Sequence, residues 1–312
     1  MNLRHLRTFV AIAEAGGVAR AAAGLNMTQP TASRQVHALE AELEVPLFDR
    51  IGRRVRLTSQ GEDLLRRSRR LLSEADMLGE QARALKSGQI GVLRLGATTQ
   101  WIESVLADFL PQYRRRHPGV EVRPLEDGGV RLLGRLERGD VHLTITTERD
   151  ERFNSRLLYP VYLLAVLPKN HRLSRRTVLE VAELADEPLL LLGPGFGSRE
   201  WFYSACQVAH IRPRVFFDSV APHTLIALAA GGYGIAVVPA TVLLPRGRIR
   251  ALPLAHRGVP IGRWQTAAWH PQRFLAPYAE CFIEELAAYT QHDYPNRNVT
   301  RRTPRLPRGK ER

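Results

Sequence analysis

At 312 residues the chain is long enough for two or three domains, and 44% hydrophobic with 24% charged residues excludes a low-complexity or disordered polypeptide. No apolar run approaches the ~18 residues of a membrane span, and no membrane partner is expected. A formal net charge of +14 suits a polyanionic partner, although all but three of the 45 basic residues are arginines, a skew that genome composition alone can produce.

Leu3, Leu6, Phe9, Val10 and Ala13 recur at helical spacing, predicting a first helix that Gly16-Gly17 ends. A short alanine-rich helix over about residues 18–25 follows. Thr28 is a good N-cap for a third helix, Gln29–Leu43, and Pro30 is tolerated in a first turn whose N–H groups have no intrahelical acceptor. Ala32, Val36, Leu39 and Leu43 form its buried stripe, so Pro30, Ser33, Arg34 and His37 face outward. A polar outward face near a helix N-terminus is what base-edge readout in the major groove requires, but a plain solvated face has the same pattern. Two short strands over 45–50 and 55–57 around Ile51-Gly52-Arg53-Arg54 then predict a basic hairpin, and a winged helix-turn-helix over residues 1–58.

The run Leu3-Arg4-His5-Leu6-Arg7-Thr8-Phe9, Ala21-Ala22, Thr28 through Val36, Leu39-Glu40, Leu43, Pro46-Leu47-Phe48, Arg53 through Thr58 and Gly61 resembles the LysR-type transcriptional regulators. The resemblance implies DNA contacts at Gln29, Pro30, Ser33 and Arg34 of the recognition helix and at Arg53 and Arg54 of the wing. With Thr31 and His37 these make up the expected DNA-facing set. Two departures stand out: Gly17-Val18 where the family commonly has Ser and an aromatic residue, and Thr28 and Thr31 where Ser and Ala are frequent.

Residues 59–88 read as one long linker helix opened by a capping box at Ser59-Gln60-Gly61-Glu62. Leu64, Leu71, Leu78 and Leu85 recur every seven residues, with Ala75 and Ala82 interposed, which predicts a two-stranded dimerisation seam; packing on its own domain is the competing reading. Pairing would present two recognition helices to one face of a duplex and predicts a dyadic operator. The resemblance further implies a homotetramer, and RNA polymerase as a further partner.

From residue 89 apolar strands alternate with amphipathic helices, predicting a mainly parallel α/β sheet: strands around 92–96, 120–125 and 141–146, then 162–168, Pro188–Leu192, 215–218, Ile235–Pro239 and 265–270, with a final helix near 274–289. This order resembles the family's effector domain, itself similar to periplasmic binding proteins, and implies two α/β subdomains, 89–162 with 267–290 and 163–266 between them. Ligands in such sheets lie at strand carboxyl ends against helix starts, which nominates Thr98, Thr99, Gln100, Thr146, Phe196, Ser198, Pro222 and His223. Hydroxyls and free N–H groups there favour a small organic anion as effector, although each Ser or Thr read alone is as good an N-cap. Residues 291–312, with Arg301, Arg302, Arg305, Arg308 and Lys310, read as a basic disordered tail.

Other chemistries find little support. Gly231-Gly232-Tyr233-Gly234 precedes a strand, so it is no dinucleotide fingerprint, and Gly195–Ser198 lacks the second glycine of a nucleophile elbow. Glu284-Glu285 reads as an exposed charge cluster, and Cys206 and Cys281 lack metal-ligand spacing, so no catalytic residue, metal or cofactor is expected. Residues 1–6 lead into an amphipathic pattern rather than an apolar signal region. That predicts a cytoplasmic chain and weighs against the alternative of a solute-binding module without a DNA role.

Overall fold

The computed structural model describes residues 2–51, 54–87, 90–301 and 306, with backbone alone at 50–51, 54–55 and 84–87. The chain divides into two compact units, the first of Met1–Leu85 with Arg138–Asp140 and the second of Lys86–Glu137 with Val141–Arg312.

The first unit holds α1 (Leu3–Ala15), α2 (Val18–Gly24), α3 (Gln29–Leu43), β1 (Phe48–Ile51), β2 (Arg54–Leu57) and the long α4 (Ser59–Ser87). Asn2 caps α1 by accepting from the Arg4 N–H at 2.9 Å, and Gly16 ends it in the left-handed conformation, φ 62°. Gly17 opens α2 with no side-chain cap. Thr28 caps α3, accepting from the Thr31 N–H at 3.4 Å, with Pro30 in the first turn. The predicted stripe is inside: Ala32, Val36 and Leu39 are buried with Leu6, Phe9 and Ile12 of α1 and Ala21 and Ala22 of α2. Alanine at three of these positions lets the helices approach closely.

The entry to α4 differs from the capping-box expectation. Thr58, not Ser59, is the cap: its Oγ1 accepts from the Gly61 N–H at 2.8 Å and donates to the Pro46 carbonyl at 2.7 Å. A Cβ at Gly61 would lie 2.2 Å from the Leu47 carbonyl oxygen, so only glycine permits this approach. The cap therefore also ties the linker helix to the wing, a link with no local sequence signature.

The second unit opens with β3 (Gly91–Ala97), α5 (Thr99–Trp101), a π turn (Ile102–Leu106), α6 (Ala107–Arg116), β4 (Val120–Glu126), α7 (Gly129–Arg138) and β5 (Leu143–Thr146). Next come β6 (Asn154–Pro168), β7 (Leu179–Glu180), β8 (Pro188–Leu192), α8 (Gly197–Val208), β9 (Arg214–Ser219), α9 (Pro222–Ala230) and β10 (Ile235–Pro239). It closes with β11 (Ile249–His256), β12 (Val259–Pro260), β13 (Gly262–Trp269), α10 (Pro277–His292) and α11 (Arg297–Thr300).

Two lobes share one strand. The first has the order β4-β3-β5-β13-β6, and the second continues β6-β10-β8-β9 with β11 on the other side of β6. The 15-residue β6 runs through both, pairing with β13 over Asn154–Tyr162 and with β10 and β11 over Leu163–Pro168. Its centre, Leu163 through Leu167, is buried on both faces, which explains an unbroken apolar run where alternation would mark a half-exposed strand. The strand is thus longer than the expected 162–168, and the return into the first lobe begins at Gly262 rather than at 267.

The tail expectation is overturned for residues 291–301. Asn296 donates from Nδ2 to the carbonyls of Ala240 (2.8 Å) and Val242 (2.7 Å), the Tyr294 ring stacks on Tyr159 at 5.2 Å, and Thr300 is buried. A polar segment can fold when its side chains satisfy carbonyls left over by a neighbouring turn. Residues 302–305 and 307–312 lie outside the described residues.

Candidate nucleic-acid interface and effector cleft

On α3, Gln29, Pro30, Arg34 and His37 are exposed and Ser33 and Thr31 are half-buried; Pro30, Ser33, Arg34 and His37 lie on the side away from the apolar stripe, and Gln29 is exposed at the helix start. Thr31 turns its hydroxyl to Thr28 Oγ1 at 2.8 Å, which makes it part of the cap more than a projecting group. His37 Nδ1 lies 3.1 Å from Glu40 Oε2, so this nominated contact also has an internal partner. Two residues outside the expected set fix the helix. Glu40 Oε1 accepts from the N–H groups of Leu47 (2.8 Å) and Phe48 (3.2 Å), pinning the wing to α3. The buried Thr8 hydroxyl donates to Gln35 Oε1 at 2.6 Å, pinning α1 to it.

β1 and β2 pair antiparallel from Phe48↔Leu57 to Ile51↔Arg54. Arg53 and the Arg54 side chain lie outside the described residues.

The α4 seam splits into two parts. Leu64, with Leu65 and Leu72, packs on Leu6, Phe9, Leu39 and Leu47 of its own unit. The ion pairs Arg69–Glu14 (2.9 Å) and Arg7–Asp76 (2.6 Å) fasten the same side of α4 to α1. Leu71 (39% exposed), Leu78 (68%) and Ala82 point to solvent, and Ala75 is half-buried. These positions share a row with Leu64 and lie about a third of a turn from the side carrying Leu65, Arg69, Leu72 and Asp76, at ~100° per residue. The Leu85 side chain lies outside the described residues.

In the α/β unit a narrow cavity of about 50 Å³, room for a few waters, is lined by Thr98, Gln100, Thr146, Phe196 and Ser198 of the expected set. Gln100, Thr146 and Ser198 are buried. The π turn right after Gln100 gives this helix a widened turn of the kind often found beside functional sites. Arg199 holds the start of α8 in place by donating to the Leu192 carbonyl at 2.7 Å and to Asp218 Oδ1 at 2.5 Å.

Three nominated residues are not in this lining. Thr99, the first residue of α5, is exposed and donates to Glu126 Oε1. Pro222 is buried at the start of α9, and His223 Nε2 lies 3.1 Å from Glu103 Oε2.

The lining also includes residues outside the nominated set, among them Glu148, Trp201, Thr241 and Gln265. Glu148 follows Thr146 at a strand end, so the rule that found Thr146 would have reached it. Gln265 stood out as a polar residue entering a buried strand. Glu148 Oε2 pairs with Arg263 Nη1 at 3.2 Å, while its buried Oε1 has no hydrogen-bond partner. Trp201, 6% exposed, has its Nε1 likewise unpartnered, and the Arg263 guanidinium lies 5.5 Å from its ring. Both atoms crowd Gly197, where an added Cβ would lie 2.2 Å from Glu148 Oε1 and 3.6 Å from Trp201 Nε1. Glycine there lets the Glu148 carboxylate lie against the backbone of the first turn of α8; an added Cβ would displace the end of that side chain.

A winged helix-turn-helix with a solvent-facing polar helix, followed by a two-lobed α/β unit with a polar cleft, defines a ligand-responsive DNA-binding protein. Comparison with known proteins makes this specific. Residues 3–62 match the bacterial regulatory helix-turn-helix protein, lysR family, and residues 86–291 match the LysR substrate binding domain. The chain is 31% identical over 289 residues to the HTH-type transcriptional regulator YnfL of Escherichia coli, covering 90% of this chain and 96% of that one. It is 31% identical over 245 residues to the regulator BudR of Raoultella terrigena, covering 77% and 84%. Among solved structures, full-length OxyR from Pseudomonas aeruginosa has the same fold, with TM-score 0.68, 24% identity and coverage of 93% and 97%. CbnR, a LysR family regulator, in complex with its target DNA, has TM-score 0.66, 24% identity and coverage of 93% and 100%. The chain belongs to the LysR family of DNA-binding transcriptional regulators.

Proposed function

We propose that the chain reads a dyadic operator as a homodimer and that a small molecule held in the cleft of the α/β unit controls the output. The observation that carries the DNA reading is the outward face of α3, where Gln29, Pro30, Ser33 and Arg34 project beside a wing pinned by Glu40. The positive end of the α3 dipole adds attraction for phosphate. The exposed Leu71, Leu78 and Ala82 supply the pairing surface of α4, and assembly into a tetramer would join two such pairs on one promoter. The site of action is the cytoplasm, with RNA polymerase as the protein that bound regulator meets at the promoter.

The effector is a small organic acid that also carries a hydrogen-bond donor. The hydroxyls of Thr98 and Ser198 and the α8 start suit a carboxylate, while the unpartnered Glu148 Oε1 repels an anion without a donor of its own. Effector control requires differential affinity for two assembled states. Footprinting of the full-length protein on the DNA upstream of its own gene tests the proposal. Protection of a dyad-symmetric site, altered by a stabilising acid, is expected; absence of protection on any dyadic site overturns it.

A further inference from the structure

Glu285 is not the free surface charge that Glu284-Glu285 suggested. Cys281 and Glu285 lie one turn apart on one face of α10, and His117, directly after α6, joins them. Phe109 and Tyr113 of α6 meet Phe282 of α10 with ring centroids at 5.3 and 4.9 Å, so the backbones carrying the three groups are fixed by packing. The His117 ring in turn lies on Tyr113 at 4.5 Å.

We propose that His117, Cys281 and Glu285 form a binding site for a zinc-class divalent cation. Nothing in the DNA-binding or effector reading uses these residues. The three donor atoms form a triangle: His117 Nε2 to Glu285 Oε1 2.6 Å, Cys281 Sγ to Glu285 Oε1 3.5 Å, and Cys281 Sγ to His117 Nε2 3.7 Å. Tetrahedral zinc with ordinary bond lengths sets donor separations of about 3.6 Å for S–N and S–O pairs and about 3.3 Å for N–O. Two sides of the triangle already match, and only the His117–Glu285 contact must part, by less than about 1 Å.

The mixed nitrogen, sulfur and oxygen set selects a borderline-soft metal over magnesium or calcium. Arg116 supplies the outer contact that ligating carboxylates usually have: its Nε and Nη2 donate to Glu285 Oε2 at 3.0 and 2.6 Å, leaving Oε1 for the metal. All three ligands are half-buried, which leaves a fourth position for water or a ligand. Burial and the neighbouring Glu285 push the Cys281 thiol up, so the metal-free cluster holds a thiol rather than the thiolate of a redox-reactive cysteine. On binding, the Cys281 S–H and His117 Nε2–H bonds break as metal–sulfur and metal–nitrogen bonds form; the thiol proton passes to the buffer and the imidazole hydrogen moves to Nδ1 by exchange with solvent.

The test uses untagged, metal-stripped full-length protein titrated with Zn²⁺ and Co²⁺. Expected are one zinc per chain, proton release on binding, a thiolate-to-cobalt charge-transfer band and a raised Tm. Cys281→Ala and His117→Gln should each abolish the band and weaken zinc binding by more than the ~10–100-fold typical of an outer-contact change, which Arg116→Gln should itself produce. Metal-free Tm values close to wild type keep loss of binding distinct from unfolding. Absence of the thiolate band in wild type, or zinc binding unchanged in Cys281→Ala and His117→Gln, overturns the proposal and leaves the cluster as a hydrogen-bonded brace.

Discussion

The outward face of α3 and the cleft of the α/β unit arrange polar side chains in opposite ways. On α3 they stand in solvent on a single helix, backed by Ala32, Val36 and Leu39, and their partner is to be a polyanion arriving from outside. In the cleft, Gln100, Thr146, Ser198, Thr241 and Gln265 come from five separate segments and are buried. Exposed polar groups cost nothing while they wait, because water satisfies them. Buried ones must be satisfied by the fold, and two of the atoms left without a hydrogen-bond partner, Glu148 Oε1 and Trp201 Nε1, belong to cleft-lining residues that a ligand can reach.

The contrast can be broken most forcefully at α4, which the DNA-binding face needs in two copies and the cleft does not. Replacing Leu71 and Leu78 together by Glu should yield monomers in sedimentation and lower operator affinity by about 10²-fold or more, the scale of lost bivalency. Effector-induced Tm shifts should survive, and an unchanged dimer would remove these leucines from the interface.

A smaller effect tests the pin beneath the recognition helix. Glu40→Ala removes the acceptor of two wing N–H groups and should cost about 2 kcal/mol in denaturant unfolding of the first unit. Thr58→Ala loses a helix cap as well as the link to Pro46 and should cost about 1 kcal/mol.

The second unit carries its own pH signature. Burial, with Arg94 and Arg273 nearby, pushes His142 down to about 3, so it stays neutral in the fold while the unfolded chain takes up a proton below about 6.5. Its contribution is complete above pH 6.5 and is lost as pH falls toward 3, by up to about 1.4 kcal/mol per pH unit. His142→Asn should flatten that slope in acid unfolding curves, and an unaltered slope would acquit the residue. Smallest of all is Thr99→Val: because Thr99 faces Glu126, the effector dose response should not move, whereas Gln265→Leu should weaken it several-fold.

Legibility in the sequence followed the same divide. Helix α3 has its expected bounds, since a cap, a proline and a 3.6-residue stripe are all local signals. Strands β8 and β10 were equally plain as apolar runs. Thr58 as the cap of α4 was missed because its advantage over Ser59 comes from Pro46, twelve residues away. Trp201 and Glu148 were invisible together because α8 and the end of β5 meet only in the folded sheet, and the His117–Cys281–Glu285 triangle spans 168 residues. Asn296 shows the converse, a polar segment that reads as disordered until the carbonyls it satisfies are in place.

Whether the exposed residues of α3 read base sequence is decided by competition binding of wild type and Arg34→Ala on the protected operator and a scrambled duplex at fixed salt. Arg34→Ala should lower the operator-to-scrambled affinity ratio by about 5–150-fold, the worth of one good base contact, with the fold intact by circular dichroism. An identical ratio in the two proteins would contradict base readout by α3.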